Sequence, residues 1–244
     1  MERYVIAGAG FRHVIYSRAR VGNRDEGLER THIYLEGDGR PWLRRHEVAL
    51  DPTGRDPFAL RLMALDPENT IYVGRPCYHG LAGDAGCASW FWTHGRYSPE
   101  VVASMVAAIA SILPKPPRPP VTLVGYSGGG VLATLIAARL DDVEQVITIA
   151  ANLDIDAWAD QQGYSPLEGS LNPTRQAALA AAIRQVHLVG DRDLRVPPTT
   201  IASFLARNPT ATVKVFAGFD HRCCWTEHWP GIIEQFRPAE VTSH

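Results

Sequence analysis

Gly125-Tyr126-Ser127-Gly128-Gly129 sets one serine among glycines in a G-x-S-x-G pattern. A serine hydroxyl becomes a nucleophile when a tight turn lifts it clear of its surroundings and glycines on either side let the flanking elements approach closely. A glycine-rich turn can also cradle a phosphate or serve only as a bend. A P-loop is excluded, because no Gly-Lys-Ser/Thr follows. A serine alone is a weak nucleophile. It needs a base, and the base needs an orienting acid. The order expected for such a turn is Ser, then Asp or Glu, then His. Two later segments fit that order: Gly190-Asp191-Arg192-Asp193-Leu194-Arg195-Val196-Pro197 and Ala217-Gly218-Phe219-Asp220-His221-Arg222. Spacing alone does not separate Asp193 from Asp191, and Asp154 and Asp156 after the preceding strand are further candidates. His221 is the expected base. His187 falls inside an apolar strand-like run, where a packed histidine is the ordinary reading. His228 falls on the last helix and His244 is the terminus.

These residues need elements to position them. Val121–Gly125, Gln145–Ala150, Gln185–Val189 and Thr212–Phe216 are short apolar runs of the kind buried in a parallel sheet. Thr31–Leu35 and Thr70–Val73 read as strands that stop at glycine, and two short apolar runs near 4–8 and 13–17 precede them. Helices are predicted at 57–65, 98–113, 131–140, 174–183, 198–207 and 229–236, the second with Ser98 as N-cap and Pro99 at its first position. The stretch 152–173 reads as irregular, and the prolines of 114–120 as a stiff connector rather than a polyproline ligand. Strands alternating with helices predict an α/β architecture with a mostly parallel sheet, in a single domain over 1–244. Each candidate reactive residue then lies just past the carboxyl end of a parallel strand, where open α/β sheets build their sites.

Composition narrows the partners. With 24 Lys+Arg against 26 Asp+Glu among 244 residues, the chain lacks the basic footprint of a nucleic-acid binder. A hydrophobic fraction of 45% is too high for disorder, and no apolar run reaches transmembrane length. No secretory signal is visible at the start, so the expectation is cytoplasmic, or periplasmic or secreted if a leader has been removed. Cys77 and Cys87 flank a glycine-rich loop that a disulfide would staple, by ~2–3 kcal/mol in the chain-entropy view. Two reduced thiols are the alternative, and with Cys223-Cys224 three connectivities remain open. Metal-type Cys and His spacing is absent, and no cofactor is expected.

Taken together, the motifs resemble the α/β-hydrolase superfamily over nearly the whole chain. That resemblance implies a central mostly parallel sheet with helices on both faces. It makes Asp193 the triad acid, through the Gly-x-x-Asp-x-x-Val/Pro pattern of Gly190, Asp193, Val196 and Pro197, and His221 the base. It implies an oxyanion hole from the Gly128 N–H and a second N–H in Glu36-Gly37-Asp38-Gly39, that of Asp38 or else of Gly37. Members often carry His-Gly-Gly-Gly there, and this chain departs from that with two acidic residues. Those carboxylates would have to turn away or pair, with Arg40, Arg75 and Arg96 as candidate partners. The insertion at about 152–173 implies a short cap and an open site. Trp42, Tyr126, Asn152 and Asp154 are candidate substrate-binding residues, and Glu36, Asp38 and Asp154 are expected to make a locally acidic rim faced by arginines.

Glu36–Gly39, Gly74–Cys77, Trp92-Thr93, Arg96–Ser98, Ser170–Pro173 and His221 with Cys223–Trp225 also resemble a small-cap bacterial subgroup, partly exported, which suits a disulfide. The implied activity is hydrolysis of a small-molecule carboxylic ester through an acyl-enzyme. Amide or thioester hydrolysis, acyl transfer, or an inactive binding protein are the alternatives.

Overall fold

A computed structural model describes residues 1–18, 30–44, 46–114 and 120–238. Most of the proline cluster and His244 lie outside these residues. Eight strands form one sheet. In chain order they begin with β1 (Glu2–Ala7), β2 (Arg12–Arg18) and β3 (Thr31–Leu35). Outside the sheet, β4 (Trp42–Arg44) and β5 (Glu47–Val48) make a small antiparallel hairpin. The sheet continues with β6 (Asn69–Val73), β7 (Val121–Tyr126), β8 (Val143–Ile149), β9 (Arg184–Gly190) and β10 (Thr212–Phe216). Its spatial order is β1-β2-β6-β3-β7-β8-β9-β10, antiparallel at β1/β2 and β2/β6 and parallel from β6 onward.

The inner parallel strands β3, β7, β8 and β9 are buried on both faces because both faces are covered. On one side α2 (Pro99–Ile112) and α3 (Gly128–Ala137) bury Val101, Met105, Leu132 and Ile136 against Ile33, Leu35 and Leu123. On the other side α1 (Phe58–Leu65) and α6 (Trp225–Gln235) bury Phe58, Leu62, Trp225 and Trp229 against Tyr34, Tyr72 and Val124. Neighbouring residues such as Leu123 and Val124 therefore serve opposite cores, as the strand period requires. No helix among the described residues is long and apolar enough to cross a membrane.

Three segments differ from the sequence-based expectation. The helix predicted at 174–183 is absent: only a 3₁₀ turn at Pro173–Arg175 forms, capped by Asn172. Alanines favour helix, but this run buries little beyond Leu179, and a short helix without a buried face is not stable. Within 152–173, expected to be irregular, Ile155–Gln162 forms α4. Its signals were Asp154, whose carboxylate accepts from the Asp156 and Ala157 N–H groups, and Gly163, which closes the helix at φ 64°. The helix α5 (Ala202–Arg207) follows a 3₁₀ turn at Pro198–Ile201, so the helix expected from 198 is split.

Candidate active site

Four loops meet above the carboxyl ends of β3, β7, β9 and β10. At the end of β7 the chain turns directly into α3, and Ser127 occupies the turn with φ 51° and ψ −124°. A non-glycine residue in this region is strained and persists only where its surroundings hold it. Here the Ser127 N–H donates to the Ile149 carbonyl and the Gly130 N–H donates to the Ser127 carbonyl, both at 2.8 Å. The glycines are required by close approach. A Cβ on Gly125 would lie 2.3 Å from the Gly129 carbonyl oxygen, and one on Gly129 would lie 2.1 Å from that of Leu35.

The loop after β9 carries Asp193, whose side chain is 1% exposed. One carboxylate oxygen accepts from the Arg195 and Val196 N–H groups, at 2.9 and 2.8 Å. The other meets Nδ1 of His221 at 2.8 Å. Asp191 faces elsewhere, accepting from the Gly218 N–H at 2.7 Å. Asp154 is committed to capping α4 and to Asn172 and Ser203, at 2.9 and 2.5 Å, and Asp156 meets Arg175 and Asn172. Of the four candidate acids, only Asp193 touches His221 among the described contacts.

His221 is held from several sides. The Tyr126 hydroxyl donates to its carbonyl at 3.1 Å, and the two rings lie 5.2 Å apart. Tyr126 is thus the link between the serine turn and the histidine loop. Asp220 folds that loop by accepting from the Arg222 and Cys223 N–H groups, and the Trp225 indole donates to its carbonyl at 2.9 Å. His187 lies apart in β9, buried against Thr148, and burial pushes it down to about 3.

The loop after β3 lies over the serine turn: a Cβ on Gly37 would sit 3.4 Å from that of Ser127. Its two carboxylates both point inward. Asp38 accepts from the Tyr97 hydroxyl at 2.7 and 2.8 Å, and pairs with Arg75 at 2.8 Å and Arg96 at 2.9 Å. Burial alone would raise this carboxyl, but the two guanidiniums and the phenol hold it below the usual carboxylate range. The carboxylate packs directly on Gly128, where an added Cβ would fall 2.0 Å from its Oδ1. Arg75 also donates to the Glu36 carbonyl, and Tyr78 to that of Asp38. Arg75 and Arg96 were candidate partners in the sequence. Arg40 instead uses its backbone N–H on Pro52 and stays exposed. Tyr97, quoted only within the Arg96–Ser98 segment, and Tyr78 were given no role from the sequence.

Glu36 turns the opposite way and caps α1, accepting from the Ala59 N–H at 3.0 Å and the Gly37 N–H at 3.1 Å. Burial raises it to about 7 against the pull of these amides. The Gly37 N–H is thus engaged with Glu36. One expectation is corrected. These carboxylates form no acidic rim: Glu36, Asp38 and Asp154 are each drawn inward onto caps and cations, because a half-buried carboxylate without partners is costly. The opening beside His221 is lined by three arginines and one carboxylate, Asp220. An open groove of about 270 Å³ is lined by Arg192, Leu194, Arg195, Asp220, His221 and Arg222.

The remaining candidates lie further out. Trp42 is half-buried on the β4/β5 hairpin, edge-on to His94 at 6.2 Å. Asn152 is 1% exposed, and its side-chain nitrogen and oxygen are buried. Neither contacts the Asp193–His221 pair among the described contacts. Beside the loop after β3, Cys77 and Cys87 are joined in a disulfide, and Cys223 and Cys224 in a second.

No protein-family model matches the chain, and no curated protein matches it. Solved structures do. A putative hydrolase of Agrobacterium vitis superposes with a TM-score of 0.64 at 19% identity, covering 96% of this chain and 98% of that one. The chain has the α/β-hydrolase fold. A Pyrococcus furiosus esterase matches this fold with a TM-score of 0.64 at 13% identity, over 96% and 90% of the two chains. A Xanthomonas campestris α/β serine hydrolase described as lacking a lid matches with a TM-score of 0.57 at 13% identity, over 98% and 97%. In this α/β-hydrolase fold the usual cap position after β8 holds only α4 and the turn at Pro173–Arg175.

Proposed function

We propose that the protein is a serine hydrolase that cleaves a carboxylic ester through an acyl-enzyme, with Ser127 as nucleophile, His221 as base and Asp193 as its orienting acid. The observation that carries this reading is the Asp193–His221 contact, at 2.8 Å, in the loops flanking a serine held in a strained strand-to-helix turn. In this mechanism the Ser127 oxygen attacks the carbonyl carbon while His221 Nε2 takes its proton. Asp193 fixes the tautomer by accepting from Nδ1–H and stabilises the imidazolium. His221 then returns the proton to the departing alcohol oxygen, and water releases the acid by the same steps in reverse roles.

The oxyanion takes the Gly128 N–H at the start of α3 and the Asp38 N–H above it. The Asp38 carboxylate that packs on Gly128 is balanced by two guanidiniums, which offsets its repulsion of negative charge developing at that place. Similarity in fold to serine hydrolases, an esterase among them, supports the hydrolase reading. Asn152, Asp154, Trp42 and Tyr126 then serve as supports and outer walls rather than as direct ligands.

Stoichiometric labelling of Ser127 by a fluorophosphonate, lost in Ser127→Ala, tests the nucleophile. Turnover of short p-nitrophenyl esters should disappear in the same variant, and a panel of matched ester, amide and thioester substrates separates the rival bonds. Absence of labelling in the folded protein would remove the mechanism.

A further inference from the structure

From the groove beside His221 we infer that the substrate's leaving half, the alcohol side of the ester, carries an anionic group, a carboxylate or a phosphate, bound by Arg192 and Arg195. This rests on the serine-hydrolase reading above and specifies its substrate class. Every residue lining the groove belongs to the loop after β9 or the loop after β10. None comes from the serine turn or from the loop over it. That places the groove on the side of the base. When the tetrahedral intermediate collapses, the bond from the carbonyl carbon to the alcohol oxygen breaks, its electron pair stays on that oxygen, and His221 supplies the proton. The alcohol half must therefore lie against His221, while the acyl half stays with Ser127 and the oxyanion donors.

The groove's charge is one-sided. Three guanidiniums line it against one carboxylate, and that carboxylate, Asp220, already accepts from two backbone N–H groups of its own turn. Arg222 is tied to Asp56 at 2.6 Å and lies over the Phe58 ring. Arg192 and Arg195 are exposed and no carboxylate among the described residues is hydrogen-bonded to either guanidinium. The nearby Asp191 is engaged with the Gly218 N–H. Between the two arginines stands Leu194, 84% exposed. Its carbonyl is held by Gln162 and that of Arg195 by the Trp158 indole, so α4 braces the segment that carries all three side chains. An apolar contact flanked by two guanidinium forks fits a leaving group with a hydrocarbon body and an anionic end, since such forks match carboxylate and phosphate oxygens.

The test compares esters that differ in one charge. On the alcohol side, 4-acetoxybenzoate and 4-acetoxyphenyl phosphate are set against the neutral methyl 4-acetoxybenzoate. On the acyl side, mono-p-nitrophenyl adipate is set against p-nitrophenyl hexanoate. For each pair the kcat/KM ratio of anionic to neutral ester is measured in the wild type and in the Arg192→Gln/Arg195→Gln variant, so that the intrinsic reactivity of each ester cancels. Both sites are exposed, and folding is checked by thermal melting. The expected result is a loss of about tenfold in the alcohol-side ratio for at least one of the two anions, carried mainly by KM and diminished by added salt, with the acyl-side ratio moving less than about twofold. An alcohol-side ratio that stays within about twofold for both anions, or an acyl-side ratio that falls equally, overturns the inference. Failure to hydrolyse any ester, with no fluorophosphonate labelling of Ser127, would overturn both it and the reading beneath it.

Discussion

Replacing Asp38 with asparagine keeps the shape of the side chain and removes its charge. In the native protein this carboxylate is the common partner of Arg75, Arg96 and the Tyr97 hydroxyl, at 2.7 to 2.9 Å. The two arginine side chains are only 2% and 8% exposed. The variant therefore leaves two buried cations without their counter-charge, and turns an amide donor toward guanidiniums that can only donate. Breaking a buried ion pair from one side costs about 3–5 kcal/mol. With a urea dependence of about 3 kcal/mol per molar for a chain of this size, the unfolding midpoint should drop by about 1–2 M. Because the carboxylate also sets the backbone of the loop over Ser127, activity of the variant still folded at low temperature should fall by about 10²-fold in kcat, the scale of losing one oxyanion donor. Pairing Asp38→Asn with Arg75→Met in a double-mutant cycle isolates the contact, and a coupling above about 1 kcal/mol is expected. A midpoint shift below about 0.3 M with kcat unchanged would refute the reasoning, since neither charge compensation nor loop placement would then depend on Asp38.

Asp193→Asn should lower kcat by about 10³–10⁴-fold with little change in KM, because the amide cannot hold the His221 tautomer; steady-state kinetics on a p-nitrophenyl ester decide it. Glu36 is raised from 4.5 to about 7, so the folded state binds the extra proton between those values, and stability should fall as pH rises from about 4.5 to about 7, then level. Glu36→Gln should flatten that limb, by at most ~3 kcal/mol, in chemical denaturation at a series of pH values. Asp38 acts in the opposite sense: its depressed carboxyl contributes stability above the ordinary carboxylate range that is lost as pH falls through it, so Asp38→Asn should blunt acid unfolding. Removing the Cys77–Cys87 crosslink, which spans 10 positions, with paired alanines should cost ~2–3 kcal/mol in the same assay, and reductant should then have a smaller effect on the variant.

The alternation of strand and helix, the serine turn and the histidine after the last strand were legible in the sequence. Each rests on local physics: short continuous apolar runs, glycines where backbones must touch, and caps and prolines at helix starts. Where local propensity was the only guide it failed. The alanines of 174–183 suggested a helix that has no buried face to stabilise it, and the Asp154 and Gly163 caps around α4 were passed over in a segment rich in turn residues.

Residue types in order along the chain determined which groups could react and in which loops they had to lie. They could not choose between Asp191 and Asp193, two positions apart in one loop, because that choice depends on which carboxylate faces the ring brought in from β10. Nor could they say where the acidic residues near the serine point. The tertiary structure decided both, turning Asp193 onto His221, Asp38 onto Arg75, Arg96 and Tyr97, and Glu36 onto the start of α1. The physical reason is that a carboxylate leaving water must find donors, and those donors sit on elements up to 59 residues away in the chain. The acidic rim that the sequence suggested at Glu36, Asp38 and Asp154 is therefore not formed, since all three carboxylates turn inward.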